Sequence, residues 1–329
     1  MDSLSDPQTL MPDAARQAKI VAAIDAYNVE RPGILKSCYT TAILAMVVYV
    51  GFSVMLTIGA YGIDEKHKAV GIVGGLLAFG GFKLWEFLWK PIHDHQLTLR
   101  YRLFPEIFGF IDGVSYSHGR APWFLAEINT MKMVRFSSSE NDDVLSGSHG
   151  GLSFELVEAK LILGSGKHKD TVFSGLILHF KLDTPFPGLL YAAKRGNWLQ
   201  QWVREMFGTD VDLVHANDPA LDGIYDFHTN HFSAARPVVQ GPLAQALHYL
   251  RNEWYEGDVR IALRNDECFL LLPSKRDYFA LPDIHNDVSY ADVTPMIREM
   301  AVLMAVAHLM RKMGAEGQAD PAVENAQNP

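Results

Sequence analysis

Two uninterrupted apolar runs near the start of the chain dominate its hydrophobic pattern. They extend over residues 40–60 and 69–89, and the first contains no charged side chain. About 20 helical residues, at roughly 1.5 Å of rise per residue, cross the hydrocarbon core of a bilayer. Because the segment between the runs is too short for a folded domain, the pattern predicts a transmembrane hairpin over residues 38–90.

The positions of the Lys and Arg residues predict the orientation of this hairpin. Arg31 and Lys36 precede the first run, and Lys90, Arg100 and Arg102 follow the second. Basic residues concentrate on the cytoplasmic side of membrane proteins. The sequence therefore predicts a multi-pass protein of the bacterial inner membrane, in contact with the lipid bilayer, with both termini in the cytoplasm.

Polar and aromatic side chains cluster near the end of the second run. Lys83 and Glu86 are three residues apart and can pair on one helix face. Trp85 and Trp89 lie at the same level, as in an interfacial aromatic belt. We interpret these four residues as a membrane anchor; a polar gate or relay is the alternative.

A stripe of small residues follows one face of the same run and includes Gly71, Gly75 and Ala78. Small side chains allow close contact between helices in lipid. The stripe is compatible with packing against the first run and with a homo-oligomer.

After the hairpin, shorter patterns alternate between strand and helix periods. Alternating apolar positions predict strands over residues 152–163, 171–181 and 224–232, with two more, 259–263 and 268–272, around a turn. The segment 124–133 fits a strand or a short helix, and the polar segment 137–148 predicts a loop. The first two strands, joined by the turn GSGKHKD, predict an antiparallel pair.

Helical spacing of apolar residues appears in the remaining segments. It predicts an amphipathic helix over 13–29 ended by Pro32, a helix over 91–110 broken at Pro105, and helices over 197–207, 242–254 and 295–312.

Interleaved helices and short antiparallel strands define an α+β fold. The predicted organisation is an N-terminal tail with an amphipathic helix at 1–37, the hairpin at 38–90, a cytoplasmic domain at 91–313 and a disordered tail at 314–329.

Composition excludes several classes of protein. The 329-residue chain has a net charge of −9, which argues against nucleic-acid binding. Its two cysteines, Cys38 and Cys268, lie in a juxtamembrane and a strand-like segment, so no disulfide framework is expected. The N-terminal residues lack the pattern of a cleaved signal peptide.

Glu158 is the polar residue that fits its surroundings least. In the predicted strand it shares a face with Phe154 and Leu156. A carboxylate on an apolar face needs a hydrogen-bond donor or a basic partner, since its burial otherwise costs several kcal/mol. We expect backbone donors or a basic side chain near the following strand.

No catalytic or metal-binding motif is recognisable. His228 and His231 are candidate polar residues, but they would point to opposite faces of a strand and have no evident third ligand. The segment GSGKHK lacks the spacing of a phosphate-binding loop. The sequence therefore predicts no catalytic residue, metal or cofactor.

Several segments resemble a known family. They are GSHGGLSFELVE from Gly147 to Glu158, VFSGL from Val172 to Leu176, the Asp218-Pro219 and Tyr225 to His228 region, and the stretch from Gly257 to Phe279. The chain resembles the bacterial membrane proteins grouped as domain of unknown function 3137.

Within these segments Glu158, Phe173, Gly175 and Asp277 match the family pattern, whereas RPVVQGP from Arg236 to Pro242 departs from it. The resemblance covers the hairpin and most of residues 145–284. It implies two N-terminal spans followed by a cytoplasmic domain, and it supplies no catalytic residue.

Three functions are compatible with the sequence. A membrane-anchored, non-enzymatic interaction or scaffold module that binds a protein partner is favoured, because no catalytic constellation is recognisable. The alternatives are a membrane-tethered enzyme using Glu158, Asp226, His228 and His231, and an oligomeric transport-associated subunit. A concave pocket with converging carboxylates and histidines would favour the enzyme, and an exposed apolar groove would favour a partner.

Overall fold

The computed structural model describes residues 7–63, 68–196, 211–254 and 257–311. It is an α+β protein with N-terminal helices and an antiparallel sheet, as predicted. Residues 7–10 form a 3₁₀ turn within the segment 1–12. The predicted helix at 197–207 and the predicted tail at 314–329 lie outside the described residues.

The helices of the described residues are α1 Ala14–Ile63, α2 Lys68–Ile107, α3 Phe124–Thr130, α4 Pro219–Asp222, α5 Phe232–Gln240, α6 Pro242–Glu253 and α7 Tyr290–Arg311. The strands are β1 Asp112–His118, β2 Ser138–His149, β3 Leu152–Ser165, β4 His168–Lys194, β5 Asp212–Val214, β6 Tyr225–Thr229 and β7 Arg260–Pro273.

These elements form two compact units. The sheet unit comprises the described parts of 1–16, 107–280 and 293–329, and the helical unit comprises those of 17–106 and 281–292.

The two long N-terminal helices are less interrupted than predicted. The prediction that Pro32 ends a helix is wrong, because α1 continues through it, and α2 continues through Pro105. A proline inside a helix removes one backbone hydrogen bond. Phe104 and Ile107 on either side of Pro105 are fully buried, and this packing holds the turn in helical form.

Three helices of the described residues are long and apolar enough to cross a membrane by length and composition. They cover Ala14–Tyr61, Gly71–Ile107 and Tyr290–Arg311. The most apolar parts of the first two are almost entirely exposed, whereas most of the corresponding part of the third is buried within the protein. The third therefore has the environment of a core helix.

Within the helical unit, α1 contacts α2 through a tyrosine and two glycines. The Tyr49 hydroxyl donates to the carbonyl of Leu77. A Cβ atom at Gly80 would lie 3.1 Å from this hydroxyl, and one at Gly81 would lie 3.3 Å from the Tyr49 ring. Gly71 and Gly75 are exposed instead, and a Cβ atom there would meet nothing within 4 Å among the described residues.

The segment 281–292 belongs to the helical unit and is bound by polar side chains of α1. Arg31 is 8% exposed, donates to the carbonyl of Ile284 at 2.8 Å, and pairs with Asp287. Asn28 exchanges two hydrogen bonds with the backbone of Val288, at 2.8 and 3.0 Å. These contacts fix the segment along the helix.

The sheet has the strand order β1-β2-β3-β4-β6-β5, and β7 also pairs with β4. Every pairing is antiparallel. The predicted hairpin of β3 and β4 is confirmed, although β4 runs on to Lys194.

Two sequence interpretations in the sheet are wrong. The segment 137–148, predicted as a loop, is mostly β2, which pairs with β1 on one side and β3 on the other. The two strands predicted around RNDE are one strand, β7, because β4 is long enough to pair with both halves. Asn265 has φ +54° within it, where the register with β4 shifts.

The helices in the sheet unit agree better with the prediction. Residues 124–130 are helical, which decides between the two alternatives, and α6 coincides with the predicted helix. The last helix begins five residues earlier than predicted, at Tyr290. The backbone N–H and the hydroxyl of Ser289 both donate to Asp292 Oδ2, at 2.8 and 2.6 Å, and Pro295 lies inside the helix.

Gly175 marks the closest approach of β4 to β7. Its φ is +146°, and a Cβ atom there would lie 2.1 Å from the carbonyl oxygen of Leu272 and 2.6 Å from the nitrogen of Ser274. Only glycine fits this backbone and this spacing. Gly175 thus sets the position at which the chain leaves β7.

We expect Gly175→Ala to lower the thermal midpoint of the purified full-length protein strongly. Gly166→Ala is the matched control, since Gly166 also has positive φ, +62°, but a Cβ atom there would meet nothing within 4 Å. The control should cost about 1 kcal/mol of unfolding free energy for its backbone conformation. Equal midpoints for the two variants in a melting experiment would contradict the close approach.

Candidate carboxylate pocket

A β-bulge brings three carboxylates together. Asn141 pairs with Ala159 and Val144 with Val157, so that Asp142 and Asp143 on β2 lie opposite the single residue Glu158 on β3. Two residues opposite one define a bulge, which redirects side chains and is frequent beside functional sites.

The end of β1 adds a histidine to this point. His118 pairs in register with Asp143, and its Nδ1 lies 3.0 Å from Asp142 Oδ1 and 3.3 Å from Asp143 Oδ1. Asp143 is fully buried and also accepts a hydrogen bond from the Tyr116 hydroxyl. The imidazole therefore bridges the two aspartates of the bulge.

The segment after β7 supplies the remaining acidic group. The backbone N–H of Tyr278 donates to both carboxylate oxygens of Glu158, at 3.2 and 3.1 Å. This confirms the expected backbone donor, although it comes from this segment and not from the neighbourhood of the following strand. Asp277, Glu158 and Asp143 have oxygen atoms within 4.8 Å of one another.

Aromatic packing holds this segment in place. Tyr278 is 5% exposed, its ring stacks on Trp254 with centroids 6.0 Å apart, and its hydroxyl donates to the carbonyl of Met296 at 3.4 Å. Phe279 is fully buried. The position of Asp277 is thereby set by the core of the sheet unit.

We call the five side chains His118, Asp142, Asp143, Glu158 and Asp277 the carboxylate pocket. All of them except the buried Asp143 line a cavity of about 380 Å³, whose other lining residues include Glu140, Asn141, Lys160, Lys275 and Arg276. Charges of both signs therefore line the cavity.

Burial and like charge raise the pKa of the Glu158 carboxyl to about 8. Burial is the largest cause, and the charge of Asp277 is the second; Asp143 and Asp142 add to it, while the hydrogen bond from Tyr278 opposes it. A carboxyl with such a pKa holds its proton at neutral pH and can act as a general acid or base.

The pocket can also hold a metal ion. His118, Asp142 and Asp143 form one group of potential ligands and Asp143, Glu158 and Asp277 a second, each with all ligand atoms within 4.8 Å. Oxygen and imidazole ligands suit divalent cations.

Sequence reasoning identified Glu158 but missed most of its neighbours. His118, Asp142 and Asp143 lie in polar segments where no periodicity indicated a strand. The only signal was the resemblance, in which Glu158 and Asp277 both match the family pattern although they are 119 positions apart (277 − 158).

The other candidate polar residues lie elsewhere. His228 is half-buried in β6, burial lowers its pKa, and its Nε2 has no hydrogen-bond partner in the described part of the chain. His231 lies beyond the strand, which ends at Thr229, and contacts Ser233. Asp226 pairs with Arg195.

Neither histidine belongs to either group of potential metal ligands. Glu158 lines the cavity but Asp226, His228 and His231 do not, so the set of residues proposed for a tethered enzyme is not brought together there.

The four residues predicted to form a membrane anchor lie in α2. The predicted pair of Lys83 and Glu86 is present at 2.6 Å, and the rings of Trp85 and Trp89 lie 5.2 Å apart. The ring of Tyr39 on α1 meets the Trp89 ring edge-on at 5.4 Å. Cys268 in β7 is fully buried, and burial raises the pKa of its thiol.

The fold and pocket define an α+β protein with long apolar N-terminal helices and, in its sheet unit, a cavity lined by carboxylates, a histidine and basic side chains. Residues 171–312 match the model of the family described as Protein of unknown function (DUF3137), and this match supports membership of that family. The matched range includes Gly175, β7 and Asp277.

No curated protein matches the chain. Among solved structures, the crystal structure of the mycobacterial trehalose monomycolate transport factor A, TtfA, aligns with a TM-score of 0.34 and 10% identity, over 59% of this chain and 88% of that chain.

The pKa of Glu158 predicts a pH-dependent stability. Between its ordinary value of 4.5 and about 8, the folded protein keeps a proton that the unfolded chain loses, so the contribution of Glu158 to stability falls as pH rises. Glu158→Gln keeps an acceptor for the Tyr278 N–H and never ionises. We expect its thermal midpoint to equal that of the wild type below pH 4.5 and to exceed it near pH 9.

The control is Glu155→Gln, since Glu155 lies on the same strand but pairs with Arg120. It should keep the wild-type dependence on pH. Melting curves of full-length protein in a chelating buffer measure both, and parallel curves for wild type and Glu158→Gln would refute a raised pKa.

Proposed function

We propose that this protein is anchored in the bacterial inner membrane by α1 and α2, and that its sheet unit is a cytoplasmic binding module whose recognition site is the carboxylate pocket. One observation carries the proposal: β1, β2, β3 and the segment after β7 converge on one cavity of about 380 Å³. Concave sites with a few convergent polar groups are typical of small-ligand binding.

The exposed apolar helices support the membrane assignment. The most apolar parts of α1 and α2 are almost entirely exposed, and large side chains such as Val47, Met55, Ile72 and Leu76 are each more than 60% exposed. An apolar surface of this extent is unstable in water and stable in lipid.

The small-residue stripe supports self-association in the membrane. Gly71 and Gly75 are exposed and meet nothing within 4 Å among the described residues, and Ala78 is exposed beside them. A second copy could approach this face closely. An oligomeric, transport-associated subunit would require such an assembly.

A membrane-tethered enzyme is the second candidate function. Glu158 favours it, since a carboxyl with a pKa of about 8 can transfer protons near neutral pH. The pocket, rather than the histidines of β6, would then be the active site.

The membrane assignment has a direct test. Alkaline carbonate should leave the protein in the membrane pellet. Reporter fusions after Arg102 and at the C-terminus should behave as cytoplasmic, while a tag within residues 62–68 should be accessible from the periplasm. Release by carbonate would refute the anchor, and a periplasmic C-terminus would refute the orientation.

The binding module is tested by native mass spectrometry of the full-length protein purified from its own membranes. We expect a bound small-molecule mass in the wild type that Asp277→Asn loses and Glu155→Gln keeps. Conversion of the bound molecule into another one over time would favour the enzyme. Retention of the same molecule would favour the binding module. A wild type without bound mass would contradict both.

A further inference from the structure

We infer that the carboxylate pocket binds one divalent cation, with Asp143, Glu158 and Asp277 as oxygen ligands and His118 and Asp142 completing the site. This inference rests on the proposed function, because it names the class of ligand for the same cavity.

The spacing of the ligand atoms fits a single ion. Oxygen ligands bind divalent cations at about 2.1–2.5 Å, so two ligands on opposite sides of an ion are separated by roughly 4–5 Å. The two groups in the pocket each fit within 4.8 Å, and they share Asp143. An ion bound by Asp143, Glu158 and Asp277 would therefore lie beside the other group, which contains His118 and Asp142.

A buried amide oxygen is a separate indication of a missing ligand. Asn141 lines the same cavity, and its Oδ1 is buried without a hydrogen-bond partner among the described residues. Its amide nitrogen donates to Ser139 Oγ at 3.2 Å, which fixes the side chain. Buried polar atoms are nearly always satisfied, and amide oxygens are ordinary ligands of hard cations.

The electrostatics of the cavity favour the same ligand. Glu158 is surrounded by the charges of Asp277, Asp143 and Asp142, and Asp143 is fully buried. Lys160, Lys275 and Arg276 line the same cavity, and a cation between the carboxylates would add to their effect in relieving the mutual repulsion.

The chemistry of the ligands narrows the type of ion. Carboxylate and amide oxygens dominate, which suits Mg²⁺, Ca²⁺ and Mn²⁺, and the single imidazole is best accommodated by Mn²⁺ among these three. No cysteine lines the cavity, so the soft ligands that select Cu(I) or a structural zinc are missing from these lining residues.

The probe is Mn²⁺ added to chelator-treated, full-length protein in detergent, and the signal of the free ion is followed by electron paramagnetic resonance. We expect one saturable site in the wild type. Asp277→Asn and Glu158→Gln should each weaken it about 10-fold or more, the scale on which even supporting residues affect metal affinity. Circular dichroism and gel filtration verify that each variant is folded.

Glu140→Gln is the matched control. Glu140 lines the cavity but belongs to neither ligand group, so its removal takes away the same charge without a ligand. We expect its affinity to remain within about twofold of the wild type, because a charge that is not a ligand acts only through a solvent-screened field.

The outcomes are separable. Absence of a saturable site, or equal weakening in Glu140→Gln and Asp277→Asn, would overturn the cation site. If native mass spectrometry still finds a bound mass that depends on Asp277, the binding module stands and only its ligand class is wrong.

Discussion

The pairing of β4 is the constraint on which the sheet unit depends. Its first half pairs with β3 and β7, and its second half with β7 and β6. From Gly175 to Phe180 every residue of this strand is buried, which is typical of a strand covered on both faces. With β4 fixed, Gly175 brings the end of β7 across it, and the segment carrying Asp277 meets the strand carrying Glu158.

The pocket places groups together that oppose one another. Three carboxyl groups and the imidazole of the pocket line a cavity, and the fourth carboxylate, Asp143, is fully buried beside them. The bulge in β2, the glycine contact and the aromatic packing around Tyr278 hold them there despite their repulsion. Arrangements that are unfavourable in themselves and maintained by their surroundings are characteristic of functional sites.

The parts of the fold that the sequence predicted are those where periodicity matches burial. Apolar and polar residues alternate along β3 and the start of β4, and the apolar residues of α6 follow the helical period. The strand β2 was missed because polar residues around the bulge face the cavity, so the strand carries little apolar signal. In β7 the residues RNDE were predicted to form a turn, because the local sequence does not show that β4 is long enough to pair with both halves of the strand. The pocket needs four segments whose proximity no local pattern reveals.

The interaction of Arg31 with the segment 281–292 affects how this protein can be divided for study. The N-terminal helix α1 binds residues that follow β7, more than 250 positions later in the chain (284 − 31 = 253). A recombinant fragment that begins at Ile107 would contain Ile284, Asp287 and Val288 without the helix that binds them. To express the sheet unit alone, the segment 281–292 must also be removed or replaced. A single truncation after the apolar helices is not enough, because this segment belongs to the helical unit.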